Sequence, residues 1–230
     1  MLVSFWSPKG GSGTSVVAAA CAVVLAGAHG VRLVDLDGDQ AAVLGMAPIE
    51  PRGVRDWLAA GPEAPSDALG RLAIEIAPGL VLLPRGTPDR TASGAAGAAL
   101  AVVLRDSGVA VVADCGRADD PASRALVEVS DFSVVVIRPC YLALRRAAAD
   151  DLVRTASGVV IVEEQGRALG AREVADVLGV PVLASVPVRA SIARVVDAGV
   201  LMARLPDSVA RPTRTLLERL GVALSRGNAA

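Results

Sequence analysis

The chain has 230 residues, 53% of them apolar and only 2% aromatic, and its 23 basic and 24 acidic side chains leave a net charge of −1. That is enough for one sizeable core built from Val, Leu and Ala, and it excludes a whole face attracted to nucleic acid. The single histidine, His29, excludes a histidine metal cluster; three widely spaced cysteines in apolar runs, Cys21, Cys115 and Cys140, read as buried free thiols in a reducing compartment.

In chain order, Leu2–Trp6 reads as a short apolar strand. A glycine-rich turn follows, and residues 15–28 run on as a helix of Ala, Val, Cys and Leu. The longest apolar stretch, 16–28, is shorter than the roughly 20 residues that cross a bilayer. The start of the chain also lacks the basic segment and apolar block of a signal peptide, so the expected location is the cytoplasm. Residues 31–37 form a second strand ending in the carboxylates Asp35 and Asp37. Helices are expected at Val54–Ala59 and at 68–76, a strand at Leu80–Leu83, an Ala-rich helix at 92–104 and a strand at 109–113 that ends at Asp114. The second half alternates strands at 133–137, 159–162 and 182–184 with helices at 142–155, Ala171–Leu178, 192–198 and 213–224.

This alternation implies right-handed crossovers and a mostly parallel sheet between two helical layers. The expected fold class is α/β, a three-layer α/β/α P-loop NTPase domain spanning residues 1–230. In such sheets ligands bind beyond the carboxyl ends of the strands. The glycine turn, Asp35, Asp37 and Asp114 all fall at such ends.

The turn reads Ser7-Pro8-Lys9-Gly10-Gly11-Ser12-Gly13-Thr14-Ser15. Its three glycines let backbone N–H groups point inward around an anion without Cβ collisions. The helix that begins near Thr14 adds unpaired N–H groups and the positive end of its dipole. Ser15 can offer a hydroxyl to a magnesium ion on bound phosphates, and Asp114 can hold a water on the same ion. Lys9 is the only lysine in the chain, beside 22 arginines, which supports a need for a compact ammonium there.

The segment Lys9 to Ser15 resembles the deviant Walker A box of the ParA/MinD family of dimerising ATPases, K-G-G-x-G-K-[ST]. The resemblance continues through Val34-Asp35-Leu36-Asp37, similar to the family's second acidic motif. It extends to Val111-Val112-Ala113-Asp114-Cys115-Gly116, similar to Walker B with the start of the switch, and to the segments 134–139 and 179–187. The pilus-assembly and septum-site-regulating branch looks nearest. The resemblance implies ATP and Mg2+ as ligands, held by Lys9, Gly10, Gly11, Ser12, Gly13, Thr14 and Ser15. It implies Lys9 as the signature lysine that reaches the partner subunit's phosphates. Ser15, Asp35 and Asp114 would serve the metal, Asp37 would orient the attacking water, and Gly116 would begin the γ-phosphate sensor. It also implies a homodimer that acts with a partner protein in placing chromosomes, division sites or pili.

Two departures bear on activity. Thr14 stands where the family has the lysine that neutralises β- and γ-phosphates in the same subunit. A hydroxyl cannot supply that charge, and comparable electrostatic donors are worth roughly 2–4 kcal/mol in the transition state. After the strand at 159–162, Glu163-Glu164-Gln165 stands where the family places an Asn or Asp for adenine. Arg117 and Arg85 both follow strands and could supply the missing charge or be plain surface arginines. Tyr141, after Pro139 and Cys140, could line the pocket or pack at a helix start, and Trp6 and Trp57 read as core fillers. Leu216, Leu217, Leu220 and Leu224 form an apolar stripe near the C-terminus. It serves either for packing on the sheet or for peripheral membrane contact through its basic neighbours. Two main functional readings follow, an ATP-dependent dimerising switch with weak hydrolysis or a non-catalytic scaffold of the same fold that binds partner proteins, with a phosphotransferase or synthetase acting on a small substrate as a third.

Overall fold

The computed structural model describes residues 1–28, 30–47, 52–87 and 92–224. His29 lies outside them. In chain order the elements are β1 (Leu2–Trp6), α1 (Thr14–Ala26), β2 (Val31–Asp35), α2 (Gln40–Val43), α3 (Val54–Ala59), α4 (Ser66–Gly70), β3 (Ile74–Ala77) and β4 (Leu80–Leu83). Then come α5 (Gly94–Arg105), β5 (Ala110–Asp114), α6 (Pro121–Val129), β6 (Phe132–Ile137), α7 (Tyr141–Ala148), α8 (Asp151–Arg154) and β7 (Gly158–Glu163). The chain closes with α9 (Ala171–Leu178), β8 (Val182–Pro187), α10 (Ala190–Asp197) and α11 (Asp207–Arg219).

The strands form one sheet in the order β3-β4-β2-β5-β1-β6-β7-β8. Every pairing is parallel except that of the edge strand β3 with β4. Side chains alternate across the sheet, so each central strand feeds two cores. Leu2 and Trp6 of β1 enter the layer beneath α3, α5, α6, α7 and α9, whereas Val3 and Phe5 enter the layer beneath α1 and α11. Trp6 is fully buried with its indole N–H on the Ser133 hydroxyl at 2.9 Å, and Trp57 donates to the Pro65 carbonyl at 2.8 Å. Both tryptophans are core fillers.

Helix α1 is apolar on nearly every side because it lies between the sheet and α11, and a helix hydrophobic all round is a buried one. Helices α5 and α6 touch backbone to backbone: a Cβ on Gly97 would lie 2.1 Å from the Ala122 carbonyl oxygen. The C-terminal stripe is spent on the second core, where Leu216, Leu217 and Leu220 are buried. Arg219 fastens the helix by donating to the Val182 and Leu183 carbonyls, each at 2.9 Å. Among the described residues no helix is long and apolar enough to cross a membrane.

Several expected boundaries change. The helix expected at 68–76 ends at Gly70, and Ile74–Ala77 instead pairs antiparallel with β4 around the left-handed Gly79. The helix expected at 142–155 breaks at Asp150, whose side chain accepts from the Leu152 N–H and caps α8. The helix expected at 213–224 runs from Asp207 to Arg219, with Pro212 inside it and the left-handed Gly221 just beyond it. Helix α6 carries a start signal that sequence reading passed over: Asp120 as N-cap, followed by Pro121 at the first helical position. Strand β2 stops at Asp35, which leaves Asp37 in the turn beyond it. Cys21 and Cys115 are buried, whereas Cys140 is only half-buried. Tyr141 is 75% exposed, so it fills neither expected role.

Candidate functional site

Strand β1 delivers the chain into the glycine loop at Ser7, whose N–H donates to the Gly116 carbonyl at 2.8 Å. The loop is braced from within by hydroxyls. Ser12 donates to the Lys9 carbonyl at 2.6 Å, and the Ser7 hydroxyl lies 2.7 Å from that carbonyl and 2.8 Å from the Ser12 hydroxyl. The Lys9 N–H donates to the Ser7 hydroxyl at 3.2 Å. Gly11 and Gly13 have φ of 74° and 87°, the left-handed region where a side chain is strained. Helix α1 then starts from Gly13 with no side-chain cap and no acid in its first turn. Its first N–H groups are therefore free to face an anion.

A cavity of about 330 Å³ opens in front of this turn. Gly10, Gly11, Ser12, Gly13, Thr14 and Ser15 line it, together with Asp37, Gly116 and Arg117. Lys9 is not among the lining residues. Its backbone carbonyl and N–H are both engaged by the Ser7 and Ser12 hydroxyls inside the loop.

Beneath the loop lies a buried carboxylate pair. Asp35 and Asp114 are register partners on β2 and β5, 2% and 0% exposed. Asp35 accepts the Gly38 N–H at 2.6 Å and the Gln40 N–H at 3.0 Å, which shapes the turn carrying Asp37. Asp114 accepts the Gln40 side-chain amide at 2.7 Å and the Gly116 N–H at 3.1 Å, and it is hydrogen-bonded to the Ser15 side chain. Burial pushes Asp114 up to about 6, against hydrogen bonds from Gln40, Ser15 and Gly116 that favour its ionised form. Burial pushes Asp35 up to about 7, with the neighbouring Asp114 charge adding to it.

Asp37 is exposed and abuts the segment after β5: a Cβ on Gly116 would lie 2.2 Å from its Oδ1. Burial and Asp39 raise its pKa, while Arg85, Arg117 and Arg55 oppose the rise. Arg85 donates to the Asp37 carbonyl at 2.8 Å, and its side chain lies close over Gly38. At the far side, Val162 of β7 lies 3.6 Å from where a Gly13 side chain would begin, and beyond it Glu164 is held by Arg138 at 3.0 Å and Arg167 at 2.7 Å. These guanidiniums draw the Glu164 carboxyl below its usual value.

The fold thus brings the loop, Ser15, Asp35, Asp37 and Asp114 to one sheet edge. Two participants escaped sequence reading. Gln40 is fully buried and donates to both Asp114 and the Ser15 carbonyl, the latter at 3.0 Å, while its Oε1 is buried without a partner. No motif spacing marks it. Arg55, 8% exposed, donates to the Leu36 carbonyl, to Asp120 at 2.8 Å and to Ser123 at 3.2 Å. Against burial, these bonds from Arg55 and Ser123 hold Asp120 down at about 2.

No protein-family model matches the chain. A stretch of 117 residues is 32% identical to the uncharacterized protein Rv3660c of Mycobacterium tuberculosis; it covers 49% of this chain and 33% of that protein. The chain therefore spans about a third of the length of the curated relative it matches. Among solved structures, a ParA family ATPase from Chlorobium tepidum aligns at 20% identity over 96% of this chain and 99% of its own, with a TM-score of 0.76. The septum site-determining protein MinD from Pyrococcus horikoshii, solved with Mg-ADP, aligns at 19% identity over 95% of each chain, with a TM-score of 0.75. The fold is that of the ParA and MinD ATPases, over nearly the full chain.

Proposed function

We propose that the chain is an ATP-dependent dimerising switch of the ParA/MinD type, active in intracellular positioning in the cytoplasm and slow in hydrolysis. The observation that carries this reading is the bond between the Ser15 hydroxyl and the buried Asp114, set directly beneath an uncapped helix N-terminus and a left-handed glycine loop. The residues fit a magnesium–nucleotide pair. The loop is a cradle that side chains at Gly11 and Gly13 would strain, and the buried acids offer hard oxygen donors near a hydroxyl.

In this reading the N–H groups of Gly10 to Ser15 bind the phosphates, Ser15 and Asp114 hold the metal and Asp35 supports its water shell. Magnesium, when bound there, would supply positive charge to the phosphates. Asp37 accepts a hydrogen bond from the attacking water, and Gly116 lets the segment after β5 approach it. Lys9, which does not line the cavity of its own chain, reaches the nucleotide of a second copy.

Thr14 favours a second reading, a scaffold of the same fold without catalysis. The loop lacks a lysine ammonium at that position, and the Glu164 carboxylate is already occupied by two arginines. Titration of the protein with a fluorescent ATP analogue, with and without magnesium, separates the two. The switch requires saturable, magnesium-dependent binding; a folded protein that binds none is a scaffold.

A further inference from the structure

A triphosphate in the loop carries more negative charge than N–H dipoles alone balance, and Thr14 leaves the loop one cation short. The charge has to come from elsewhere on the chain or the site stays weak. Three arginines act on the acidic edge: Arg55, Arg85 and Arg117. Arg55 is buried beneath it, committed to Asp120, Ser123 and the Leu36 carbonyl. Arg85 is committed to the Asp37 carbonyl and does not line the cavity. Arg117 does line it, with its Cδ 3.5 Å from where a Gly10 side chain would begin.

We propose that Arg117 is the phosphate-neutralising cation of this site, taking the place of the loop lysine that Thr14 replaces. This rests on the nucleotide reading above. The guanidinium is paired only with Asp119 among the ion pairs of the described residues, and both side chains are more than half exposed, so the pair is cheap to exchange for a phosphate. A bidentate fork suits phosphate oxygens. The exchange also has a consequence that a loop lysine could not have. Arg117 sits in the turn closed by the Ala118 N–H on the Cys115 carbonyl at 2.8 Å. Ala118 has φ of 50°, the one non-glycine residue with positive φ among those described, and Asp120 two residues on caps α6. Ligand phosphate held by Arg117 therefore orders the segment between β5 and α6, so that charge neutralisation and sensing reside in one side chain.

The test is binding of a fluorescent ATP analogue with magnesium to wild type, R117A, T14K and the T14K/R117A double variant, with R172A on exposed α9 as control. Amide hydrogen exchange across residues 116–120 is read with and without nucleotide. R117A should weaken binding about tenfold or more, lose the nucleotide-induced protection and keep the wild-type urea midpoint. R172A should match wild type. With T14K restoring the lysine, R117A should cost no more than about threefold. If wild type binds and R117A binds within twofold of it, or if R117A costs the same with Thr14 and with Lys at position 14, Arg117 is a bystander and the nucleotide reading stands without it. If T14K binds and wild type does not, Arg117 does not replace the lysine and the protein is a scaffold. If neither binds, both inferences fall.

Discussion

The Gln40 side-chain amide lies 2.7 Å from the Asp114 carboxylate and spans, through the same nitrogen, to the Ser15 carbonyl. A neutral donor thus joins the acid at the end of β5 to the first turn of α1 without adding charge to a buried carboxylate pair. Removing it leaves the buried Asp114 carboxylate short of a donor. Gln40→Leu should destabilise the protein by about 1–3 kcal/mol, measured by urea unfolding. Gln40→Glu puts a third acid beside Asp35 and Asp114. It should be far worse at pH 8 than at pH 5, and an equal loss at both values would remove Gln40 from contact with the pair.

The two buried acids set a pH dependence. Their folded pKa values, about 7 for Asp35 and about 6 for Asp114, lie above an unfolded value near 3.9. Between these limits the folded state holds more protons than the unfolded chain, so their contribution to stability is fully present below about pH 4 and is lost as pH rises through 6 and 7. The protein without nucleotide should lose about 2–4 kcal/mol from this pair between pH 5 and pH 8. Asp120 has the opposite sign: its folded pKa of about 2 gives stability present above about pH 4 and lost as pH falls toward 2. Urea midpoints across pH 3 to 8 check both limbs, and Asp114→Asn should flatten the upper one.

Gly116 is required by two facts at once, a φ of 54° and the Asp37 Oδ1 that a Cβ would meet at 2.2 Å. Gly116→Ala should push Asp37 away from the loop. Nucleotide-linked association should fall more than thermal stability, which should drop by about 1–2 kcal/mol. Sedimentation and a melting curve on the same sample read the two effects. Loss of stability with unchanged association would mean that Asp37 is remote from the switch.

Lys9 lies outside the cavity lining of its own chain. Lys9→Ala should therefore reduce ATP-induced association more than it reduces binding by the monomer. By linkage, a nucleotide that binds the dimer more tightly also favours the dimer. Sedimentation velocity with and without ATP and magnesium decides it. A wild type that stays monomeric at tens of micromolar with saturating ATP contradicts the switch, and one that dimerises equally without nucleotide favours the scaffold.

Thr14→Lys adds an ammonium to the loop that the proposed function assigns to phosphate. ATP affinity should rise about tenfold, in line with one charge-assisted contact. A folded variant that, like the wild type, binds no ATP would mean that the cavity before α1 does not take the triphosphate.

Much of the fold was legible because it rests on local patterns. Apolar runs of four to six residues with glycines after them mark parallel strands buried on both faces, and the unbroken Ala and Val of α1 mark a helix buried all round. The glycine loop and the acids at strand ends were legible for the same reason: each is a contiguous motif whose chemistry does not depend on a distant partner. The antiparallel β3 was not, since an edge strand of four residues is decided by the neighbour it pairs with. The extent of α11 was not, since packing on α1 and β8 overrides the proline inside it. The contacts of Gln40 and Arg55 and the placement of Arg117 against the cavity were decided only by tertiary structure. A buried amide is tolerated where Asp114 and the Ser15 carbonyl converge on it, and an arginine faces a cavity or open solvent according to which segment lies opposite. Residues far apart in sequence meet there because the strand order inserts β5 between β1 and β2. No spacing along the chain encodes that insertion.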